Sequence, residues 1–173
     1  MYRVDMSQRP DVILRGLINY DNNISLTSAD IDFNHAGATE LTHREQVKSG
    51  RNSRIMAYFK GAFSGSRQFF YNRINLNVFF GNTTAGAPHG ECTNTIELLP
   101  YIRKGLGINI AHDEILFEYI DQDAQYCDVV ILNTSIVYTG TVRVYFTGAP
   151  GSLPDQIRKT TLSGFTKDNY EVI

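Results

Sequence analysis

Apolar residues at Ile13, Leu14, Leu17 and Ile18 fall on one helical stripe, preceded by Pro10 and Asp11, which suit a helix's first turn. Residues 1–7 read as an extended arm with Ser7 as the cap, and Asp21-Asn22-Asn23 supplies the stop. Gly16 weakens this helix, so packing of the stripe must hold it. Residues 26–33 predict a short turn opening at Thr27, then a strand entering at Ile31 and Phe33. Residues 34–53 are polar and contain Gly37 and Gly50, which predicts a surface loop or long hairpin. Residues 54–60 and 67–73 are rich in aromatic and aliphatic side chains and flank Gly61-Ala-Phe-Ser-Gly-Ser, a hairpin signature. Ile74-Asn-Leu-Asn-Val alternates apolar and polar residues, predicting a further strand over 74–80.

The second half repeats this order. Residues 81–90, rich in turn formers, read as a joint. A helix is expected to start near Ile96 and to stop at Lys104-Gly105-Leu-Gly107. Residues 108–117 restate the turn and strand, and 128–137 with 141–147 restate the hairpin around Tyr138-Thr-Gly-Thr. An offset of 84 pairs Leu14 with Leu98, Ile18 with Ile102, Asp30 with Glu114 and Ile31 with Ile115. An offset of 75 pairs the hairpins, because the connection after Phe33 is longer than the one after Phe117. The pattern predicts an α+β fold. It further predicts a tandem duplication of a helix–strand–hairpin unit, with antiparallel strands packed against two short helices. The units are 1–80, carrying the insertion at 34–53, and 91–149, followed by an arm at 150–173. Each has too few elements for a core of its own, so the halves should share one.

Composition narrows the function. Apolar residues make up 42% and aromatic residues 12%, enough for a packed core. The formal net charge of −2 leaves no electrostatic footprint for nucleic acid or an acidic membrane. No apolar run approaches a membrane span and no signal-peptide core opens the chain, which places synthesis and assembly in a cytoplasm. Cys92 and Cys127 fit two reduced packing thiols.

Candidate chemistry is sparse. No phosphate loop, dinucleotide fingerprint, CxxC pair, HExxH or nucleophile elbow occurs. His89-Gly-Glu91-Cys92 is the most ligand-like cluster, but three donors without a second set fit solvated loop residues better than a metal. Asp30, Asp32, Asp113 and Glu114 recur at matching places and fit turn capping better than an acid–base pair. Arg67-Gln-Phe-Phe-Tyr-Asn-Arg73 imitates a base-stacking strand, yet Val142-Arg-Val-Tyr-Phe keeps the apolar character and loses most of the charge. Core packing explains both. No catalytic residue, cofactor or metal is expected, and no nucleic-acid or membrane partner.

Two phrases carry a resemblance: Gly16-Leu-Ile-Asn-Tyr-Asp-Asn-Asn-Ile-Ser-Leu-Thr-Ser-Ala-Asp-Ile with Tyr71-Asn-Arg-Ile-Asn-Leu76, and Tyr138-Thr-Gly-Thr-Val-Arg-Val144. Together they resemble virion structural proteins of large contractile-tailed bacteriophages, in which a short helix, an N–x–SLT turn and a YTGSV…YNR hairpin recur. The first half departs at Phe63-Ser-Gly-Ser, and the second lacks Asn-Arg after its aromatic pair. The resemblance implies a particle component of tail, neck or baseplate with no catalytic residues, its expected partners being other virion proteins and copies of itself, a ring being one form of that self-association. Contacts are expected outside the repeat, at Glu40, His43, Arg44 and Lys48 of the insertion and at Leu162, Phe165, Tyr170, Val172 and Ile173 of the arm. The alternative is a glycan- or receptor-binding module displaying Tyr58, Phe59 and Tyr71 in a shallow groove.

Overall fold

A computed structural model of the chain describes residues 3–81 and 83–148, so the arm at 150–173 lies outside the described residues. The fold is α+β, with four α-helices and three small, mostly antiparallel sheets among the described residues.

The first helix, α1, runs Pro10–Asn22 and buries Pro10, Ile13, Leu14 and Ile18. Its cap position is Arg9 rather than Ser7, whose amide and hydroxyl both donate to the Asp5 carboxylate. Pro10 in the first turn lacks only an N–H that the helix would have left unused. At the exit Asn23 takes a left-handed conformation, φ 53°, and donates to the carbonyls of Asn19 and Tyr20. The Asn19 side chain then pairs with both backbone groups of Leu26 at 2.9 Å, folding the chain back toward the first sheet.

In that sheet β3 (Ser53–Phe59) is central. β1 (Ile31–Phe33) and β2 (Thr39–Glu40) lie antiparallel along one side, and β4 (Ser66–Tyr71) along the other. The hairpin between β3 and β4 turns where glycine was expected to turn it, with Gly61 and Gly65 both at positive φ. The insertion is not a bare loop. It contains β2 and the helix α2 (His43–Ser49), opened by a capping box between Thr42 and Glu45.

The expected strand over 74–80 is also corrected. Only β5 (Ile74–Asn75) is extended, and α3 (Leu76–Phe80) follows at once because the Asn75 carboxamide accepts from the Val78 amide at 3.2 Å. The joint at 81–90 holds β6 (Ala85–Pro88), a strand parallel to β9 (Thr141–Thr147). On the other side of β9 lies β7 (Tyr126–Val130), antiparallel. The second hairpin is therefore not closed at Tyr138-Thr-Gly-Thr. Its strands end at Val130 and begin again at Thr141, and between them β8 (Tyr138–Thr139) runs parallel to β5. The helix expected near Ile96, α4 (Leu99–Leu106), is preceded by a 3₁₀ turn at Thr95–Leu98 whose cap is Asn94. That turn ends just ahead of Pro100, which then sits in the first turn of α4 without strain.

Some repeated features are structural. Asp30 and Glu114 each bond by their amide to the carbonyl three residues back, of Thr27 and Ala111. Each also accepts an amide in its carbonyl, Lys60 N–H to Asp30 at 2.9 Å and Leu132 N–H to Glu114 at 2.8 Å. Beyond these turns the sheets are built differently. β3 has two short antiparallel partners on one side, whereas β9 has a parallel one. The fold thus does not display a duplicated unit.

Nor is the interior a single mass. One apolar cluster gathers Leu98, Ile102, Ile108, Val129, Val144 and Tyr138 of the second half with Ile13 and Leu76. A smaller one holds Leu14, Ile18, Ile31, Ile55, Ala57 and Tyr71. They meet on α1, whose neighbours Ile13 and Leu14 go to different clusters, and on Ile136, which touches both.

Candidate assembly surface

The turn at 132–137 is where the halves are fastened. The Tyr71 hydroxyl donates to the Ile136 carbonyl at 2.6 Å. The buried Arg73 guanidinium donates to the carbonyls of Asn133 at 2.6 Å and Ser135 at 3.1 Å, and to the Ser53 hydroxyl at 2.7 Å. Between them the Asn72 carboxamide accepts from the Asn52 amide at 2.9 Å. The Tyr-Asn-Arg phrase is thus a fastening device. Gly140 of the Tyr-Thr-Gly phrase has φ 93°, and a Cβ there would strike the Asn77 side chain, which accepts from the Thr141 amide at 2.9 Å. With Tyr71 buried and Phe59 packed on the smaller cluster, Tyr58, Phe59 and Tyr71 form no exposed groove.

The polar candidates are engaged in structure. His89 Nε2 contacts the Gln122 carbonyl, the Glu91 carboxylate accepts from the Tyr101 hydroxyl at 2.8 Å, and Cys92 is buried. Burial pushes both the Cys92 and the Cys127 thiol up, away from the thiolate that chemistry would need. Among the described residues no three His, Cys, Asp or Glu side chains are grouped so as to hold a metal. Asp32, Asp113 and Glu114 do border one open hollow of about 340 Å³ between the halves. Asp32 lies 3.5 Å from the Lys60 ammonium, and Glu114 is occupied by the Ser135 hydroxyl and the amides of Ile136 and Ala111. The Asp30 carboxylate closes its own turn on Thr27, whose hydroxyl and amide hold its pKa below the usual range.

What the surface does offer is apolar residues on protruding elements. Every residue of α2 is exposed or half-exposed, and Val47 is 74% exposed. The helix stands because its own ends are satisfied. The Glu45 carboxylate accepts from the Thr42 amide at 2.9 Å and hydroxyl at 2.8 Å, and binds Arg54 at 2.8 Å, all of which lower its pKa. Of the insertion's candidates, His43 and Arg44 in its first turn and Lys48 in its last all project from α2, while Glu40 is exposed on β2 opposite Ser53. The arm's candidates, Leu162, Phe165, Tyr170, Val172 and Ile173, lie outside the described residues.

A second surface was missed by the sequence reading. On α3, Val78 is 81% and Phe79 60% exposed, while Leu76 anchors the helix in the core. Beside α3 opens a groove of about 480 Å³, lined by Asn77, Phe80, Thr83 and Thr84 on one side and by Arg143 and Tyr145 of β9 on the other. Its floor is stiff. The Arg143 guanidinium forms two 2.8 Å bonds to Asp128 and stacks 4.0 Å from the Tyr126 ring centre. These bonds raise the Arg143 pKa and lower that of Asp128. The missed signal was Asn75, whose capping of Val78 turns an alternating strand pattern into a helix that points Val78 and Phe79 outward.

A family model matches residues 4–170 of the sequence, nearly all of both halves and the arm. The chain belongs to the family of unknown function DUF7941. No curated protein and no solved structure matches this DUF7941 chain. Among its described residues no helix is long and apolar enough to cross a membrane.

Proposed function

We propose that this DUF7941 protein is a non-enzymatic structural subunit of a phage virion, in the tail, neck or baseplate, assembled in the host cytoplasm. It acts by binding copies of itself and other virion proteins. The observation that carries this reading is the outward display of Val47, Val78 and Phe79 on two short helices that are capped at their N-termini by Thr42 and Asn75. Large apolar side chains set on protruding elements are the usual anchors of protein interfaces. The sequence resemblance supports the virion setting, and the engagement of its polar side chains in caps and fastenings supports a scaffold role. The recurring Thr27–Asp30 and Ala111–Glu114 turns support descent of both halves from one copied unit.

The test pairs mass spectrometry of purified particles with light scattering on the isolated protein. The expected outcome is its presence in particles at fixed stoichiometry and a mass above the monomer's, alone or with a particle protein. Absence from particles together with a lone monomer would overturn the proposal. The glycan-binding reading is favoured only by the groove beside Tyr145 and Arg143. Saturable oligosaccharide binding that a Tyr145→Ala variant loses would move the assignment there.

A further inference from the structure

β4 is an edge strand with its outer side open. The Phe59 amide donates to the Gly65 carbonyl at 2.9 Å, and Ala57 stands opposite Arg67, Ile55 opposite Phe69 and Ser53 opposite Tyr71. In an antiparallel ladder these alternate pairs exchange the bonds, so the backbone groups of Ser66, Gln68 and Phe70 point the other way. Among the described residues no strand pairs with that side, and no bond to those three residues closes it. Natural edges are commonly blunted by proline, a bulge or an inward-pointing charge. This one has no proline and an unbroken register with β3, and its one charged residue is the exposed Arg67; the outward backbone belongs to Ser66, Gln68 and a half-exposed Phe70.

We infer that the outer edge of β4 receives residues 168–173 of a second copy as an added strand. As an added strand, Asp168-Asn-Tyr-Glu-Val-Ile173 would carry Asp168, Tyr170 and Val172 on one face and Asn169, Glu171 and Ile173 on the other. Asp168 and Glu171 fall on opposite faces, so whichever face Arg67 shares carries one acid; Arg67 is exposed on β4 and in no ion pair among the described residues. The segment departs after β9, in the other sheet, and residues 149–167, 19 in all, are available to cross to a neighbour. Backbone pairing supplies the affinity, and the alternate side chains supply the register. The inference rests on the assembly reading and gives it a contact.

The experiment uses the full chain. Amide exchange at Ser66, Gln68 and Phe70 is followed by NMR from dilute to concentrated protein, alongside mass by sedimentation equilibrium. Exchange at these three amides should slow at least tenfold as the oligomer forms. Gln68→Pro removes an outward N–H and spares the β3–β4 ladder, so it should weaken self-association at least tenfold without changing the melting profile. Glu171→Pro, outside the described body, should weaken association equally. Protection that ignores concentration would mean that the chain's own segment lies there, and would overturn the inference. So would unaltered association of both variants, in which case assembly stands and runs through another surface. A wild-type chain that stays monomeric at every concentration with all three amides exchanging freely would sink the contact. If it also binds no particle protein, the assembly reading goes with it.

Discussion

Arg73 and Glu114 grip one turn from opposite halves of the chain. Arg73 donates to the Ser135 carbonyl at 3.1 Å, and the Glu114 carboxyl accepts from the Ser135 hydroxyl at 2.9 Å and the Ile136 amide at 3.1 Å. Ser135 itself is buried, so each of these groups has exchanged water for a protein partner. Removing one partner strands the others, which costs more than the bond itself contributed. Arg73→Ala should lower stability by about 2–4 kcal/mol in urea denaturation. Because both side chains hold the same turn, a cycle with Glu114→Gln should show coupling of at least about 0.5 kcal/mol. Strict additivity would show that the two grips are independent.

Glu114 should also make stability depend on pH. Burial is the largest influence on it and pushes its pKa above the usual glutamate value of 4.5, against the bonds from Ile136, Ala111 and Ser135 that favour the charged form. Between that ordinary value and the raised one, the folded state keeps a proton that the unfolded state has released. Stability contributed by the neutral carboxyl is therefore complete below the unfolded pKa and lost as pH rises through the folded one. Comparing urea midpoints of the wild type and Glu114→Gln from pH 4 upward isolates this group. The wild type should lose stability relative to the variant as pH rises above about 4.5. A constant difference across that range would refute the assignment.

Much of the fold was legible where local chemistry decides it. Pro10, Asp11 and Asn23 bracket α1, Gly107 ends α4, and the glycines after Lys60 turn the first hairpin, because each of these positions needs a residue type that tolerates it. The Thr42-x-x-Glu45 capping box was also written in the sequence, but the polar character of residues 34–53 masked it, since α2 buries nothing. β6 was illegible for a different reason. Ala85-Gly-Ala-Pro88 has turn-former composition, and it becomes a strand only by pairing with residues about 60 positions away on β9. The candidate surface on α3 was hidden for a third reason, a local alternation that fits either a strand or a capped helix.

Gly37 offers a sharp test of how the insertion is seated. At φ 77° it lies against the turn of the second half, and a Cβ there would clash with the Thr134 carbonyl, which accepts from the Ala38 amide at 3.0 Å. Gly90 has the same φ of 77° with nothing within 4 Å of its would-be Cβ. Gly90→Ala should cost only the left-handed strain, about 1–2 kcal/mol. Gly37→Ala adds a backbone collision and should exceed it by at least about 1 kcal/mol. Equal melting temperatures for the two variants would mean that the insertion is not fixed to that turn.

Val78 separates the proposed assembly surface from the fold more cleanly than its neighbour does. Phe79 stacks edge-on to Phe80 at 5.1 Å, so its removal disturbs the packing that lines the groove as well as any interface. Val78 is exposed and lies in the first turn of α3, where its amide is already capped by Asn75. An acid at that position interacts favourably with the helix's positive end. Val78→Asp should therefore change unfolding free energy by no more than about 0.5 kcal/mol. In the proposed assembly it would place a charge within an apolar contact, and desolvating that charge on docking is costly. Incorporation into particles, or pull-down by a particle protein, should fall at least tenfold. Normal incorporation of a folded Val78→Asp protein would take α3 out of the interface and leave α2 and the β4 edge to account for assembly.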